Sequence, residues 1–322
     1  MRKIEFIYRI GSIFFLLSAV SNVYAQEFKG PITVLVPFAA GGTVDIAARQ
    51  LSKDIGGQLK RPILVDNRGG GGGTIAVAAL ARANPDGNTI MFDHMGITFD
   101  AALYEKLPYD SKLDIIPVAY IGATPNVLVI TNSLPVNNIQ EFIAYAKKRP
   151  SMVNYGSGGI GSAGHLAMET FQAATNTKLT HVPYKGSGPA ITDLIGGQIQ
   201  AMLMTMAAIK PYIDSGQVRA LATSGAIRSP ALPNLPTLKE SGLKDFVYAP
   251  WYGVFAPAKT PASTLNQLHD AVNFSIQIPE NREKLAQQGL ELKALTRAQF
   301  QDIYNTDLEF WGSTIRKLNI KN

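Results

Sequence analysis

From Gln26 onward, runs of β-branched and aliphatic residues alternate with segments of helical period, an order that predicts an α/β fold with largely parallel sheets. Ile32 to Val36 reads as the first strand. After the turn Pro37 to Gly42, residues Val44, Ala47, Ala48, Leu51 and Ile55 recur at helical spacing, with Thr43 placed to cap their helix. The scheme then repeats: strand Ile63 to Val65, a loop Gly69 to Gly73, a helix Thr74 to Ala83, the turn Asn84 to Gly87 and strand Thr89 to Phe92. Five consecutive glycines are entropically costly, which implies a backbone that approaches a neighbour closely or takes positive φ; a flexible tip is the other reading.

The architecture restarts near Asn126. Strand Val127 to Ile130 precedes a helix with Ile139, Phe142, Ile143 and Ala146 on one face; strand Met152 to Tyr155 leads through Gly156 to Gly164 into a helix carrying Ala163, Leu166, Ala167, Thr170, Phe171 and Ala174. Strand Leu179 to Val182, a loop Pro183 to Gly188, a helix around Ile191 to Ile195 and strands Gln200 to Met204 and Arg219 to Ala222 follow. Residues 228–242, rich in Pro, Ser and Leu, read as an irregular crossover. Beyond it, Trp251 to Ala256 reads as a buried strand, and the remainder from Ser263 is helical with Leu265, Leu268, Val272 and Ile276 facing inward. The expected organisation is a hinged clamp in which residues 26–125 with 248–322 form domain 1 and 126–247 form domain 2.

Arg2, Lys3 and Arg9 followed by the apolar stretch Ile10 to Val20, and by Val23-Tyr24-Ala25, have the form of a cleaved signal peptide over residues 1–25. The mature chain is then expected in the periplasm, with no membrane span of its own. Because the leader carries three basic residues and Glu5, its loss lowers the formal net charge from +6 to +4. The basic residues are scattered, and Lys147-Lys148-Arg149 falls where a helix should end and cations complement its dipole, so the charge does not point to nucleic acid. A chain without cysteine has no disulfides, no thiol chemistry and no lipoprotein anchor.

The strongest chemical signal is two glycine loops that each lead from a strand into a helix, where unpaired N–H groups and the positive dipole end attract anions. One is Phe38-Ala39-Ala40-Gly41-Gly42-Thr43, the other Gly156-Ser157-Gly158-Gly159-Ile160-Gly161-Ser162. Facing each other across a cleft, they would hold a carboxylate from both sides. Gly156, Gly158 and Gly161 also satisfy a dinucleotide fingerprint, but the next strand ends in His181-Val182-Pro183 without the acidic residue that would bind ribose. Asp45 reads as a first-turn cap, with contact to a ligand ammonium as the alternative; His165 reads equally as structural or ligand-facing; Tyr184 lines the cleft or merely packs. Lys185 is placed to meet an anion but, like most turn lysines, is expected in solvent; Trp251 and Tyr252 read as core or hinge. Neither a nucleophile with its base nor a metal-ligand spacing stands out, so no catalytic residue, metal or cofactor is assigned.

Taken in order, Pro37-Phe38-Ala39-Ala40-Gly41-Gly42 with Asp45 and Ala48-Arg49, Asp66-Asn67-Arg68, Pro85-Asp86-Gly87, His181-Val182-Pro183-Tyr184-Lys185-Gly186, Leu194-Ile195-Gly196-Gly197 and Arg219-Ala220-Leu221-Ala222 resemble the receptors of tripartite tricarboxylate transporters, the Bug solute-binding proteins. The resemblance spans the mature chain. It implies a Venus flytrap of two α/β lobes, a small organic carboxylate ligand, contacts from the Phe38–Gly42 and Ser157–Ser162 loops partly through water, and a monomer that delivers its ligand to a permease of a large and a small subunit. Glycine follows Arg68 where the family commonly has proline, which should loosen that loop. A periplasmic sensory partner of a membrane signalling protein would share these features, whereas an exported hydrolase would need an activated nucleophile.

Overall fold

The computed structural model describes residues 30–317 and 320; the proposed signal peptide lies outside the described residues. Two sheets are present. The first has six strands in the order β11-β4-β10-β3-β1-β2, from β1 (Ile32–Val36), β2 (Ile63–Asn67), β3 (Thr89–His94), β4 (Ile115–Ala123), β10 (Trp251–Pro257) and β11 (Glu291–Leu292). The second has five in the order β7-β6-β8-β5-β9, from β5 (Asn126–Thr131), β6 (Asn154–Ser157), β7 (Thr180–Pro183), β8 (Ala201–Thr205) and β9 (Val218–Thr223). Each sheet is mixed, not largely parallel as expected, because β5 and β10, the strands that enter each sheet after a crossing, run antiparallel to both neighbours. β1 is parallel to β2 and β3 while β10 runs antiparallel to β3 and β4; β6 is parallel to β7 and β8 while β5 runs antiparallel to β8 and β9.

The inner strands bury both faces, which is why β10 is apolar without alternation and buried at every residue. Helix α1 (Thr43–Leu59) packs Val44, Ala47, Ala48, Leu51 and Ile55 under the first sheet, the face its spacing predicts, and ends where Lys60 turns left-handed at φ 53. In chain order the other helices are α2 (Thr74–Ala81), α3 (Asp100–Leu103), α4 (Ile139–Lys147), α5 (Ala163–Thr175), α6 (Ser187–Ile195), α7 (Met206–Asp214), α8 (Ala262–Gln277), α9 (Pro279–Gln287) and α10 (Arg297–Lys317).

The chain passes from the first sheet to the second between β4 and β5, and returns between β9 and β10. The two crossings touch where the Thr124 N–H donates to the Pro250 carbonyl at 3.2 Å. Residues 228–242 are irregular as expected, yet they do not themselves form the crossing. Thr237 pairs with Thr223 at the edge of β9, and Leu238 is fully buried, so the segment packs on the second sheet and the return falls after it. An apolar cluster joins the lobes through Phe99, Trp311 and Tyr248, with Trp311 ring centroids 5.1 Å from Phe99 and 5.6 Å from Tyr248. The Tyr248 hydroxyl then donates to the Ala163 carbonyl at 2.9 Å, tying the return crossing to the first residue of α5.

Two further differences from the sequence reading have local causes. Strand β6 starts at Asn154, two residues after its expected start, because Ser151 turns left-handed at φ 61 and leaves Met152 largely exposed. Thr43 is not the cap of α1: Gly42 occupies that position, and the Thr43 hydroxyl bonds across the cleft instead.

Candidate functional site

Both glycine junctions converge on one cavity of about 40 Å³ between the sheets. From the first lobe it is lined by Phe38, Gly42, Thr43, Val44, His94 and Tyr252, and from the second by Gly158, Ser162, Ala163, Gly164, Ser187, Met204 and Thr205. The first turns of α1 and α5 therefore open onto the same space. Their leading N–H groups lack intrahelical acceptors and present the positive dipole ends.

The four sequence-predicted residues on the cavity wall are Phe38, Gly42, Gly158 and Ser162. The others lie around it with defined tasks. Asp45 is buried, accepting from the Gly41 N–H at 3.0 Å, from Asn67 Nδ2 at 3.0 Å and from Arg49 Nε at 2.9 Å, which makes it the brace of the first loop. The Ala39 N–H donates across the cleft to the Lys185 carbonyl at 3.2 Å, while Ala40 and Gly41 are exposed. In the second loop Ser157 Oγ accepts from the Gly159 N–H at 3.1 Å and lies 2.7 Å from His181 Nε2. His165 Nδ1 accepts from the Gly161 N–H at 3.3 Å, and its ring stacks on His181 with centroids 4.2 Å apart. Burial, with His181 adding to it, lowers the His165 pKa to about 3, and burial lowers that of His181 to about 4; both are uncharged struts beneath the loop. Tyr184 is fastened to Asp193 by a 2.6 Å hydrogen bond, and Lys185 is exposed.

Ile160 meets the glycine run of the other lobe. Gly70, Gly71, Gly72 and Gly73 all have positive φ, and a Cβ on Gly72 would stand 1.8 Å from the Ile160 carbonyl oxygen, one on Gly69 2.7 Å from that of Lys185. Both requirements anticipated for the run, close approach and positive φ, are met together. The Tyr104 hydroxyl completes the contact, donating to Gly71 O at 2.7 Å with Ile160 O at 3.5 Å.

Sequence reasoning did not reach His94, Thr205 and Tyr252 as site residues, and it took Thr43, the last residue of the first loop, as a helix cap and not as a ligand contact. The Thr43 and Thr205 hydroxyls lie 2.6 Å apart across the cleft, and both interact with the Tyr252 hydroxyl, which opposes the upward pull of burial on its pKa. Tyr252 and His94 are directly opposed in the β10–β3 pair. The available signal was positional: both stand at the ends of their strands on the side where the glycine loops emerge.

Residues 47–320 match the family described as the tripartite tricarboxylate transporter family receptor. The chain belongs to that family. Among curated relatives, BugT of Bordetella pertussis is 34% identical over 293 residues, covering 90% of this chain and 90% of BugT. Among solved structures, the periplasmic binding protein BugD is similar with a TM-score of 0.88 and 32% identity over 92% of this chain and all (100%) of that one. A protein of R. palustris solved with adipate has a TM-score of 0.87 and 32% identity, covering 90% of this chain and 98% of its own. MatC of Rhodopseudomonas palustris, with bound malate, has a TM-score of 0.86 and 30% identity, covering 89% and 100%. The receptor thus has the two-lobed periplasmic-binding-protein fold, and among its described residues no helix is long and apolar enough to cross a membrane.

Proposed function

We propose that this receptor captures a small organic carboxylate between its lobes, in the periplasm after removal of residues 1–25, and delivers it as a monomer to a two-subunit membrane permease. The observation that carries the reading is the convergence of the α1 and α5 N-termini on one cavity. Main-chain N–H groups at Gly42 to Val44 and at Gly158, Ala163 and Gly164 act as donors to the ligand, with the Ser162 and Ser187 hydroxyls beside them. Adipate and malate in two similar structures support a carboxylate. The family's description as a receptor supports binding without catalysis.

At about 40 Å³ the cavity has room for roughly one or two waters, not a four-carbon acid, so the lobes must part to admit the ligand. We take residues 26–125 with 248–322 and residues 126–247 as the two moving bodies, hinged at Thr124–Pro125 and Tyr248–Pro250. Opening breaks the Thr43–Thr205 and Ala39–Lys185 hydrogen bonds, and closure reforms a surface that a permease can read. Isothermal titration against a carboxylate panel tests this. Binding of at least one acid is expected, with loss on Gly159→Glu, where φ is +120° and a Cβ meets Tyr184 O at 2.9 Å. A protein that binds no carboxylate, or a variant that binds as well as the parent, overturns it.

A further inference from the structure

His94 ends β3 on the cavity wall, buried between Phe38, stacked on it at 4.9 Å, and the edge of Tyr252 at 6.1 Å. Its Nδ1 accepts from the Gly96 N–H at 2.7 Å. An imidazole that accepts at Nδ1 carries its proton on Nε2, and that N–H meets no protein acceptor among the described residues. Charging the ring would require a proton where the Gly96 bond now sits, and burial accordingly holds the pKa down to about 3. The titratable neighbours are Asp93, which accepts from the His94 main-chain N–H at 2.7 Å, and Tyr252.

No lysine or arginine lines the cavity. Its positive potential comes from two helix ends, each equivalent to about half an elementary charge. Asp45 at the α1 end is offset by its ion pair with Arg49, so the two helix ends together match about one negative charge.

Resting on the carboxylate reading above, we propose that this site selects a monocarboxylate bearing an uncharged oxygen, such as a hydroxy or oxo acid, and that His94 is the residue that reads that oxygen by donating from Nε2–H. The carboxylate lies between the helix ends and the second oxygen faces β3. A second carboxylate in the same space would be buried without a counter-charge.

The test is isothermal titration of the wild type, His94→Phe and His94→Gln with lactate, 3-hydroxybutyrate, pyruvate, propionate, succinate and malate, with unfolding midpoints recorded for each protein. Wild type should prefer an oxygen-bearing monocarboxylate over propionate by about tenfold, the size of one hydrogen bond from a buried donor. Phenylalanine preserves the stack on Phe38 and should erase that preference; glutamine, which keeps an N–H near the Nε2 position, should restore part of it. If His94→Phe keeps the preference, or if wild type binds a dicarboxylate more tightly than every monocarboxylate, this inference is overturned while the carboxylate reading stands. If wild type binds none of these acids nor any other carboxylate, the carboxylate reading itself falls.

Discussion

Gly72 lies so close to Ile160 that any side chain there would collide with its carbonyl oxygen. The contact joins the two lobes, so under the proposed hinge motion the glycine run would be a fitted surface of the closed state. Gly72→Ala should keep the protein folded but block full closure. Gly216 is the control, since it has a similar φ of 69° and nothing within 4 Å of an added Cβ. Both variants should lose about 1 kcal/mol of stability from a left-handed alanine. Only Gly72→Ala should lower ligand affinity, by about tenfold or more, and abolish ligand-induced compaction in small-angle scattering; equal affinities for the two variants would refute the assignment.

The Thr43–Thr205 hydrogen bond spans the cleft with both partners buried. Thr205→Val retains shape and removes the hydroxyl, leaving Thr43 with the Tyr252 hydroxyl as its neighbour. The expected cost is about 1 kcal/mol, seen as a several-fold rise in Kd and faster ligand release, with little change in association rate. Stopped-flow fluorescence separates the two rates.

Asp100 is buried with Tyr109 donating to it at 2.5 Å, and burial pushes its pKa up to about 7, the Tyr109 bond pulling the other way. A carboxyl raised in the folded state contributes stability that is present below its unfolded pKa, near 4, and lost as pH rises through about 7. Asp100→Asn keeps an acceptor for Tyr109 and cannot ionise. Its unfolding midpoint relative to wild type should be higher at pH 8 than at pH 5, by an amount that reflects at most a few kcal/mol.

His165 and His181 act in the opposite sense. Their folded pKa values of about 3 and 4 lie below the unfolded value near 6.5, so unfolding takes up protons in acid. The stability they contribute is complete above pH 6.5 and is lost as pH falls toward 4. His165→Asn leaves an acceptor for the Gly161 N–H and should make the acid limb of the midpoint-against-pH curve shallower. An unchanged slope would show that His165 is not uncharged in the native state.

The two junctions were legible in the sequence because a strand, a glycine turn and a helix are consecutive residues, and the dipole that gives them chemistry is local. His94, Thr205 and Tyr252 were not, because β3, β8 and β10 meet only through pairings distant in the chain. Asp45 differs from the first-turn cap expected of it: it accepts from the Gly41 N–H, four residues back, and so braces the loop ahead of the helix. Strand β4 and helix α7 escaped notice for a shared reason: each contains a proline where a regular element should have none. Pro117 pairs with Phe255 beside a register shift between Val254 and Phe255, a place where a missing N–H is tolerated, and Pro211 sits within α7. The crossing was misplaced onto 228–242 because composition reports irregularity and not which sheet the irregular segment covers.

In the proposed site the pull on the acid would come from peptide groups that every residue type supplies. Point substitution therefore removes it only by distorting the chain, whereas the surrounding side chains are free to drift. A lineage built on this plan can change what it carries by altering a position such as His94 while its basic capacity to hold an acid passes intact between generations, which makes the scaffold robust to mutation and quick to diversify.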